Sequence, residues 1–390
     1  MIARGRLDIR FPELFRAAWY VVENALGLNK KQARFPDKTL PCLSVRTGFD
    51  LLLSALKLER GTEILVANIN IPDMFAIMAE HGLKAVPLKI DQNTLAISVA
   101  EMEAAITPKT KLLLITHLFG AVMNIEALLQ IAKARGLTVI EDCAQAYDGI
   151  YSGNPQADVG MFSFGLIKTN TALTGALLHF NNQALFNGAS ALNHQLPVQP
   201  AKVYFKKILN ATLIKLFTKR VPFSLAYWLC RHLNKDFDAW LSGFTRGFPG
   251  AALMRKIRHR PCAANLWMLH DKYSQDIGRQ IKQRKALAAQ LLQGLNKRYL
   301  IGAANVRHTH WVLPIEVPDP ALFIEKLRGE GFDATSKASS LVKFNQENSI
   351  LGTENELMLE NLIYLPMDIT MGKNKAKQLN QLLLAILPDL

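Results

Sequence analysis

Between about residues 45 and 180, short apolar runs alternate with segments of helix length. The apolar runs are ILVA at 64–67, KAVPL at 84–88, KLLLIT at 111–116, LTVIED at 137–142, MFSF at 161–164 and ALLHF at 176–180. Runs that are apolar at consecutive positions are typical of strands covered on both faces, as in parallel sheets. The intervening MFAIMAEHG and IEALLQIAKARG are apolar at helical spacing and end at Gly82 and Gly136. The pattern therefore predicts an α/β fold with a mostly parallel central sheet flanked by helices.

The length and the later patterns predict two domains. The chain has 390 residues, 49% of them apolar, which is enough to bury a large core and excludes a disordered chain. A helical pattern from about 265 to 296 predicts one long connecting helix, and HWVLPIEV at 310–317 with the helical patterns after it predicts a compact α+β unit. We therefore expect a large domain over residues 1–264, and the linking helix with a small C-terminal domain over 265–390.

The segment from 201 to 260 differs in composition from the rest of the chain. It holds 13 Lys and Arg against two acids, Asp236 and Asp238, and so contributes most of the formal net charge of +14. Ten of the 32 aromatic residues lie in the same sixty positions. Cations interleaved with rings suit an anionic membrane surface. A helical insertion (about 190–258) that packs its rings and solvates its charges explains the segment equally well, whereas no nucleic-acid motif is present and no nucleic-acid partner is expected.

The cysteines and the first residues bear on compartment and metal. Cys42, Cys143, Cys230 and Cys262 show neither paired spacing nor a Cys/His cluster, so we predict no metal site and no disulfide framework. Charged residues interrupt the first 19 positions, where a signal peptide needs an unbroken apolar stretch. The sequence therefore predicts a cytoplasmic protein without a membrane span. The segment 201–260 is the part expected to contact the inner membrane face if the protein binds there.

Two charged side chains follow neighbouring strands of the predicted sheet. Asp142 ends LTVIED, and Lys168 follows MFSF. The carboxyl ends of parallel strands meet at the edge where open α/β folds bind ligands. Pyridoxal phosphate requires a lysine and a carboxylate in one cleft, because the amine forms a Schiff base and the carboxylate pairs with the ring nitrogen. On the residues alone, a helix-capping aspartate and a solvated lysine explain the pattern as well.

The sequence around these two residues resembles a known family. VIEDCAQAYDG at 139–149, ADVGMFSFGLIKTN at 157–170, THLFGAVMNIEAL at 116–128 and NLIYLPMDIT at 361–370 are similar to the DegT/DnrJ/EryC1/StrS family of pyridoxal-phosphate-dependent sugar aminotransferases. The agreement covers about 40–180 and is weaker from 255 to the C-terminus. The resemblance implies the fold type I of pyridoxal-phosphate-dependent transferases and a role in amino-sugar or cell-surface polysaccharide biosynthesis.

The resemblance also implies roles for residues of the sheet edge. Lys168 would be the Schiff-base lysine and proton shuttle, and Asp142 the catalytic partner of the ring nitrogen. Gln145 would bind near the cofactor's phenolic oxygen or the substrate, with an ordinary polar turn residue as the alternative. Ser163 would be a phosphate ligand, with a serine satisfied by the backbone as the alternative.

Two further cofactor contacts are implied from outside these strands. Thr47 and Gly48 stand where the family has a Gly-Thr phosphate loop that opens a helix. Arg260 stands near the arginine of the family's Asn-x-Arg motif, which reaches the cofactor phosphate of the neighbouring subunit, with Arg258 in place of the asparagine. A homodimer is therefore expected.

Several departures from the family bear on the substrate. Thr47 and Gly48 reverse the usual order, Ile71 stands where an aromatic ring stacks on the cofactor, and GFDATSKASSL at 331–341 replaces a stretch with a sugar-nucleotide-binding histidine and tyrosine. We expect an aminotransferase that moves an amino group from an amino-acid donor to a keto-sugar. Glutamate is the expected donor, and the keto-sugar is expected to be linked to a nucleotide or to a lipid. The alternative is a non-catalytic relative that acts in regulation or membrane-associated assembly of a surface-polysaccharide pathway.

Overall fold

The computed structural model describes residues 1–28, 32–245, 252–337, 340–344 and 355–387. The strands are β1 Thr39–Cys42, β2 Glu63–Ala67, β3 Ile69–Asn70, β4 Lys84–Leu88, β5 Thr110–Thr116, β6 Ala121–Val122, β7 Thr138–Asp142, β8 Val159–Ser163, β9 Ala176–Phe180, β10 Arg307–His308, β11 Leu313–Glu316, β12 Val342–Lys343 and β13 Leu362–Leu365. The helices are α1 Phe11–Ala25, α2 Val45–Leu56, α3 Pro72–Glu80, α4 Val99–Ala105, α5 Glu126–Ala134, α6 Gln183–Gln195, α7 Ala201–Phe217, α8 Arg220–His232, α9 Phe237–Thr245, α10 Leu253–Ile257, α11 Ala263–Tyr273, α12 Gly278–Leu292, α13 Pro320–Gly329 and α14 Lys373–Ile386. The sequence features at Phe248 and at residues 338 and 339 lie outside the described residues.

The central sheet has seven strands in the order β1-β9-β8-β7-β5-β2-β4. All neighbouring pairs from β8 to β4 are parallel, while β9 is antiparallel to both β8 and β1. The mostly parallel sheet predicted from the apolar runs is therefore confirmed, with β4 and β9 at the predicted bounds. The sequence did not indicate β1, or that β9 runs in the opposite direction, because an apolar run carries no information about strand direction.

Alternate side chains of the strands enter two separate cores. Leu65 of β2 and Leu113 of β5 pack with α4 and α5 on one face of the sheet. Ile64 of β2 and Leu112 of β5 pack with α2, α3 and α6 on the other face. Since successive strand residues point to opposite faces, burial on both faces requires the consecutive apolar positions seen in the sequence.

Helix α2 is held very close to the sheet. The ideal Cβ position at Gly48 lies 2.6 Å from Leu178 Cδ1 on β9, so only a glycine fits without a shift of Leu178. Phe49 and Leu52, the next inward residues of the helix, are fully buried in the same core. Gly48 is therefore a packing residue between α2 and β9.

The connecting region between about 265 and 296 is not one continuous helix. The single helix predicted for 265–296 is two helices, α11 and α12, because α11 ends at Tyr273 and Asp276 Oδ1 accepts the N–H of Gly278 at the start of α12. Residues of α12, α13, α14, β11 and β13 form a separate small core. The chain start also packs here, since Ile2 pairs with Phe332 and contacts this core.

The described residues of the 201–260 segment, which is rich in cations and rings, form α7, α8, α9 and the short α10. Tyr204 of α7, Phe223 of α8 and Phe237 of α9 are buried, as the helical-insertion interpretation predicts. Other rings of the segment are exposed, among them Phe217 and Trp228. Among the described residues, no helix combines the length and the apolar character needed to cross a membrane.

Asp238 ties α9 to the chain start and to the small core. Its carboxylate lies 2.6 Å from Arg4 Nη2 and 2.9 Å from Arg328 Nη2, and it accepts a hydrogen bond from Thr335 Oγ1 at 3.0 Å. Burial raises the pKa of Asp238, but Arg4 and Arg328 outweigh burial and hold it below its usual value. The carboxylate therefore stabilises the fold in its charged form.

Replacing Gly48 with alanine will destabilise the large domain. The added methyl group must displace the Leu178 side chain, and we expect a loss of about 1–3 kcal/mol in the free energy of unfolding, measured by urea denaturation. Gly329→Ala is the matched control, because no atom lies within 4 Å of the added group in α13. It should leave stability unchanged or raise it by about 0.5 kcal/mol. Equal effects of the two substitutions would contradict the packing role.

Asp238→Asn will lower stability in a pH-dependent way. A carboxyl whose pKa is depressed in the folded state stabilises above its unfolded pKa, and this stabilisation fades as the pH falls through about 4 and below. We expect a loss of about 2 kcal/mol at pH 7 that shrinks below pH 4. Asp236→Asn, at an exposed pair with Lys337, should cost well under 1 kcal/mol at every pH. Thermal unfolding at several pH values measures both, and a pH-independent loss for Asp238→Asn would refute the assignment.

Candidate active site

The carboxyl ends of the parallel strands bring most of the predicted residues to one edge. Thr116 at the end of β5 pairs in register with Asp142 at the end of β7, and Asp142 pairs with Met161 of β8. Ser163 ends β8, and the loop after it carries Lys168. Strand β1 also ends here and leads into the N-terminus of α2. This edge is where α/β folds bind ligands.

Lys168 and Asp142 interact electrostatically, as the family resemblance implies. Burial lowers the pKa of the Lys168 amine to about 7, with the Asp142 charge opposing the shift. Burial raises the pKa of Asp142, whose Oδ1 accepts the N–H of Ala144 at 2.9 Å. Oδ2 of Asp142 has no hydrogen-bond partner among the residues that the structure describes. A partly neutral amine is nucleophilic at neutral pH, and an open carboxylate oxygen can receive a protonated ring nitrogen.

Arg46 is a third charged residue of this site, and the sequence analysis missed it. It lies in the first turn of α2, lowers the pKa of Lys168, and favours the charged form of Asp142. Its Nε donates to Asp73 Oδ2 at the start of α3. The available signal was a cation at a helix N-terminus, where the helix dipole disfavours positive charge. A cation held there suits an anionic group of a ligand.

Gly165 leaves an open space between Ser163 and Lys168. A Cβ at this glycine would lie 3.4 Å from Ser163 Oγ and 3.8 Å from Lys168 Cγ. Ser163 Oγ accepts the N–H of Gly165 at 3.3 Å, and its own proton has no acceptor in the described part of the chain. A hydroxyl that is free to donate beside an amine of lowered pKa fits a phosphorylated aldehyde cofactor. The residues present therefore fit pyridoxal phosphate.

Thr47, Gly48 and Ile71 contribute less directly than the family resemblance implies. The hydroxyl of Thr47 donates to the carbonyl of Ile257 at 2.8 Å, and its N–H donates to Ser44 Oγ at 3.2 Å. Gly48 faces Leu178, as described above. Ile71 is half-buried against the core that contains α2 and α3. The two α2 positions thus already have packing or hydrogen-bonding roles within the fold.

Gln145 shapes the loop that follows β5. Its Oε1 accepts the N–H of Phe119 at 2.8 Å, and Phe119 has a positive φ of 57°. This hydrogen bond holds a conformation that a bulky residue rarely adopts. It leaves the Nε2 group of Gln145 as the part of the side chain able to donate to a ligand.

A buried hydrogen-bond network lies next to Asp142 and connects His117, Glu141 and Tyr151. His117 Nδ1 accepts the N–H of Met123 at 3.2 Å, so the proton is on Nε2, which donates to Glu141 Oε1 at 2.7 Å. Burial opposes ionisation of Glu141, but hydrogen bonds from His117 and Tyr151 lower its pKa. Burial and Glu141 raise the pKa of Cys143. Although the ligand atoms of His117, Glu141 and Cys143 lie within 4.8 Å of one another, each already has a partner, so we assign no metal.

Trp311 is a second residue that the sequence analysis missed. Lys168 Nζ lies 3.9 Å from the centroid of the indole, and Trp311 Nε1 donates to the carbonyl of Ile167 at 2.8 Å. Close contact between the 309–311 loop and the loop after β5 requires Gly120, because a Cβ there would lie 2.4 Å from Thr309 Oγ1. No pattern in HWVLPIEV distinguishes this tryptophan from a core residue, since its contacts with Ile167 and Lys168 join segments that are far apart in the sequence.

Arg260 lies apart from the other candidates. It lines a cavity of about 570 Å³ between the end of α1, β1, α6 and the start of α11. Its Nε donates to the carbonyl of Leu196 at 3.0 Å, and no described residue offers it a carboxylate partner. Nearby, Arg258 makes a bidentate pair with Asp50, at 3.0 Å for both bonds. The structure therefore brings six of the seven predicted residues to the sheet edge or to α2 beside it, and leaves Arg260 outside.

Comparison with known proteins agrees with this geometry. The model of the DegT/DnrJ/EryC1/StrS aminotransferase family matches residues 39–213. L-glutamine:2-deoxy-scyllo-inosose aminotransferase of Streptoalloteichus tenebrarius is 31% identical over 197 residues, which cover 47% of this chain and 46% of that protein. The matched part thus spans less than half the length of that relative.

Solved structures share the fold over nearly the whole chain. Sugar aminotransferase CalS13 from Micromonospora echinospora superposes with a TM-score of 0.65 at 16% identity, covering 99% of this chain and 100% of that one. NtdA from Bacillus subtilis, solved with bound cofactor PMP, gives a TM-score of 0.66 at 17% identity, covering 97% of this chain and 82% of that one. The fold is that of the type I pyridoxal-phosphate-dependent transferases. The resemblance predicted from the sequence is confirmed, since the model of the DegT/DnrJ/EryC1/StrS aminotransferase family matches residues 39–213, which carry all the site residues predicted from the sequence except Arg260.

Proposed function

We propose that this protein is a pyridoxal-phosphate-dependent aminotransferase that transfers an amino group from an amino acid to a keto-sugar. The observation that supports this most directly is the Lys168 amine, whose pKa is lowered to about 7 where it interacts with Asp142 at the sheet edge. Pyridoxal phosphate, when bound, supplies an electron sink that stabilises negative charge at the carbon being aminated or deaminated. The remaining chemistry falls to residues of this chain.

Lys168 is suited to carry protons as well as to bind the cofactor. An amine with a pKa near 7 is present in both protonation states at neutral pH, so Nζ can accept a proton in one half-reaction and return it in the next. Asp142, desolvated and held by Ala144, keeps the proton on the ring nitrogen. Trp311 covers the amine and limits the access of water to it.

The phosphate and the substrate are assigned to neighbouring groups. Ser163 would donate its free hydroxyl proton to the cofactor phosphate, and the Nε2 group of Gln145 would donate to the cofactor or to the substrate. Arg46 supplies positive charge for a carboxylate of the amino donor or for a phosphate. The S. tenebrarius relative is named for L-glutamine and 2-deoxy-scyllo-inosose. We therefore propose glutamate or glutamine as the donor, with an acceptor of the keto-sugar class in amino-sugar biosynthesis.

A non-catalytic role is the second candidate. It is favoured by the hydroxyl of Thr47, which is bound to Ile257, and by Ile71 at the position where relatives place a stacking ring. Both features weaken the hold on the cofactor without affecting Lys168. Spectroscopy of the purified protein separates the two candidates.

The wild-type protein supplied with pyridoxal phosphate will show a visible absorption band that disappears on addition of glutamate or glutamine. Lys168→Ala removes the amine that binds the cofactor, so its spectrum will lack this band. Lys111→Ala, at an exposed lysine on β5, should behave like wild type. Because the neutral amine is the reactive form, the rate at which cofactor is incorporated will rise as the pH increases through about 7. A wild-type protein that never develops the band would favour the non-catalytic role.

Arg260 is proposed to complete the site of a second subunit in a homodimer. Lys168→Ala will show no band, and Arg260→Ala will show none that responds to the donor, but a mixture of the two refolded together will recover a band that the donor removes. In a mixed dimer, the Lys168 of one chain meets the intact Arg260 of the other, which gives about a quarter of the wild-type signal for an equal mixture. A mixture as inactive as its components would place Arg260 in the site of its own subunit, or outside any site.

A further inference from the structure

Helix α1 exposes a continuous apolar stripe. Phe11, Phe15, Trp19 and Val22, spaced along one helical face, are exposed by 39%, 75%, 48% and 42%. The opposite face of the helix, with Leu14 buried, packs against α7 and α11. Contiguous apolar surface of this kind marks an interaction site in a folded protein.

Helices α7 and α8 carry similar stripes. The exposed apolar residues are Phe205, Leu209, Leu213, Leu216 and Phe217 on α7, and Val221, Leu225, Trp228 and Leu229 on α8. In both helices they recur at helical spacing beside a second face that is buried, with Ile208 on α7 and Phe223 on α8. Within the described residues, the folded segment therefore leaves these apolar side chains exposed.

The three stripes meet at the junction of α7 and α8. Lys215 Nζ and Lys219 Nζ lie 5.5 and 5.7 Å from the centroid of the Phe11 ring. Val221 follows Lys219 by two positions and begins the stripe of α8. An open cavity of about 590 Å³ lies beside it, lined by Arg220, Val221, Ser224, Leu225 and Trp228. These exposed apolar and cationic side chains of α1, α7 and α8 form one surface, named here the α1–α7–α8 face.

The charge of α7 and α8 is of one sign. No acidic residue occurs between Val159 and Lys235, and Lys202, Lys206, Lys219, Arg220 and Arg231 are all exposed. Asp236 and Asp238, the next acidic residues in the sequence, do not neutralise these cations. Asp238 is bound to Arg4 and Arg328, and Asp236 pairs with Lys337. The cations of the face are therefore available to an anionic partner.

We propose that the α1–α7–α8 face docks on the surface of an anionic lipid bilayer. Rings and aliphatic side chains enter the headgroup region, while the long cationic side chains reach lipid phosphates. A second copy of the chain fits poorly, because a two-fold interface would place the cations of α7 and α8 against themselves. The proposal does not depend on the aminotransferase activity.

Vesicle flotation tests the proposal with the full-length protein. It will float with vesicles of phosphatidylcholine and phosphatidylglycerol at low salt, bind vesicles of phosphatidylcholine alone far less, and be released by high salt. Each neutralised cation should weaken partitioning about fivefold, so Lys202→Gln/Lys206→Gln/Lys219→Gln will weaken it roughly a hundredfold. The matched control is Lys109→Gln/Lys111→Gln/Lys133→Gln, which makes the same charge change at exposed lysines just before β5, on β5 and on α5, and should retain binding within a few-fold.

A second variant separates a bilayer from other anionic partners. Phe15→Ser/Leu225→Ser keeps every charge, and both side chains are more than half exposed, so the fold should be retained. It should lose at least tenfold in vesicle binding. Undiminished binding would indicate a general polyanion site, such as one for single-stranded nucleic acid, and would overturn the proposal. So would the absence of flotation at low salt, or a wild-type oligomer that this variant dissociates, which would identify a second copy as the occupant.

Discussion

Burial of the central sheet on both faces is the constraint on which the rest of the structure depends. Ile64 and Leu65 of β2 enter opposite cores, as do Leu112 and Leu113 of β5. A strand that is buried on both faces leaves little room for charged side chains at its centre. The reactive side chains are therefore confined to strand ends, where Asp142 stands last in β7 and Lys168 follows β8.

The loops at this edge are held in conformations that the chain would not adopt without tertiary contacts. Phe119, Asn170, Leu173 and His310 all have positive φ values, each at a cost of order 1 kcal/mol or more. Side-chain hydrogen bonds offset part of this cost: Gln145 fixes Phe119, and the N–H of Asn170 donates to Asp8 Oδ2 at 2.8 Å. Backbone strain, desolvated charge and the close approach at Gly120 therefore coincide in one region, as expected where a site is organised before its ligand binds.

The sequence was informative wherever a local structural feature needs a particular type of residue. Consecutive apolar residues located the strands, Gly82 and Gly136 ended helices with the positive φ they adopt, and the family motifs placed Asp142 and Lys168. It was uninformative where the property depends on distant partners. Trp311 contacts Lys168 only through a long-range approach of the 309–311 loop to the edge, and nothing near Gly48 in the sequence reveals Leu178. The break between α11 and α12 falls in the polar stretch 274–276, where Asp276 accepts the N–H of Gly278, within a pattern that otherwise predicts one helix.

The chain start joins the two surfaces that concern function. Asp8 accepts a hydrogen bond from Asn170, which follows Lys168 by two residues, and Arg284 bridges Asp8 and Thr169 at 3.3 and 3.1 Å. Three residues after Asp8, Phe11 begins α1 and contacts the cations of α7 and α8. The segment that anchors the lysine loop is thus continuous with a helix of the exposed face. Since α1 also packs on α11 and α7, packed helices connect the exposed face to the segment that anchors the lysine loop.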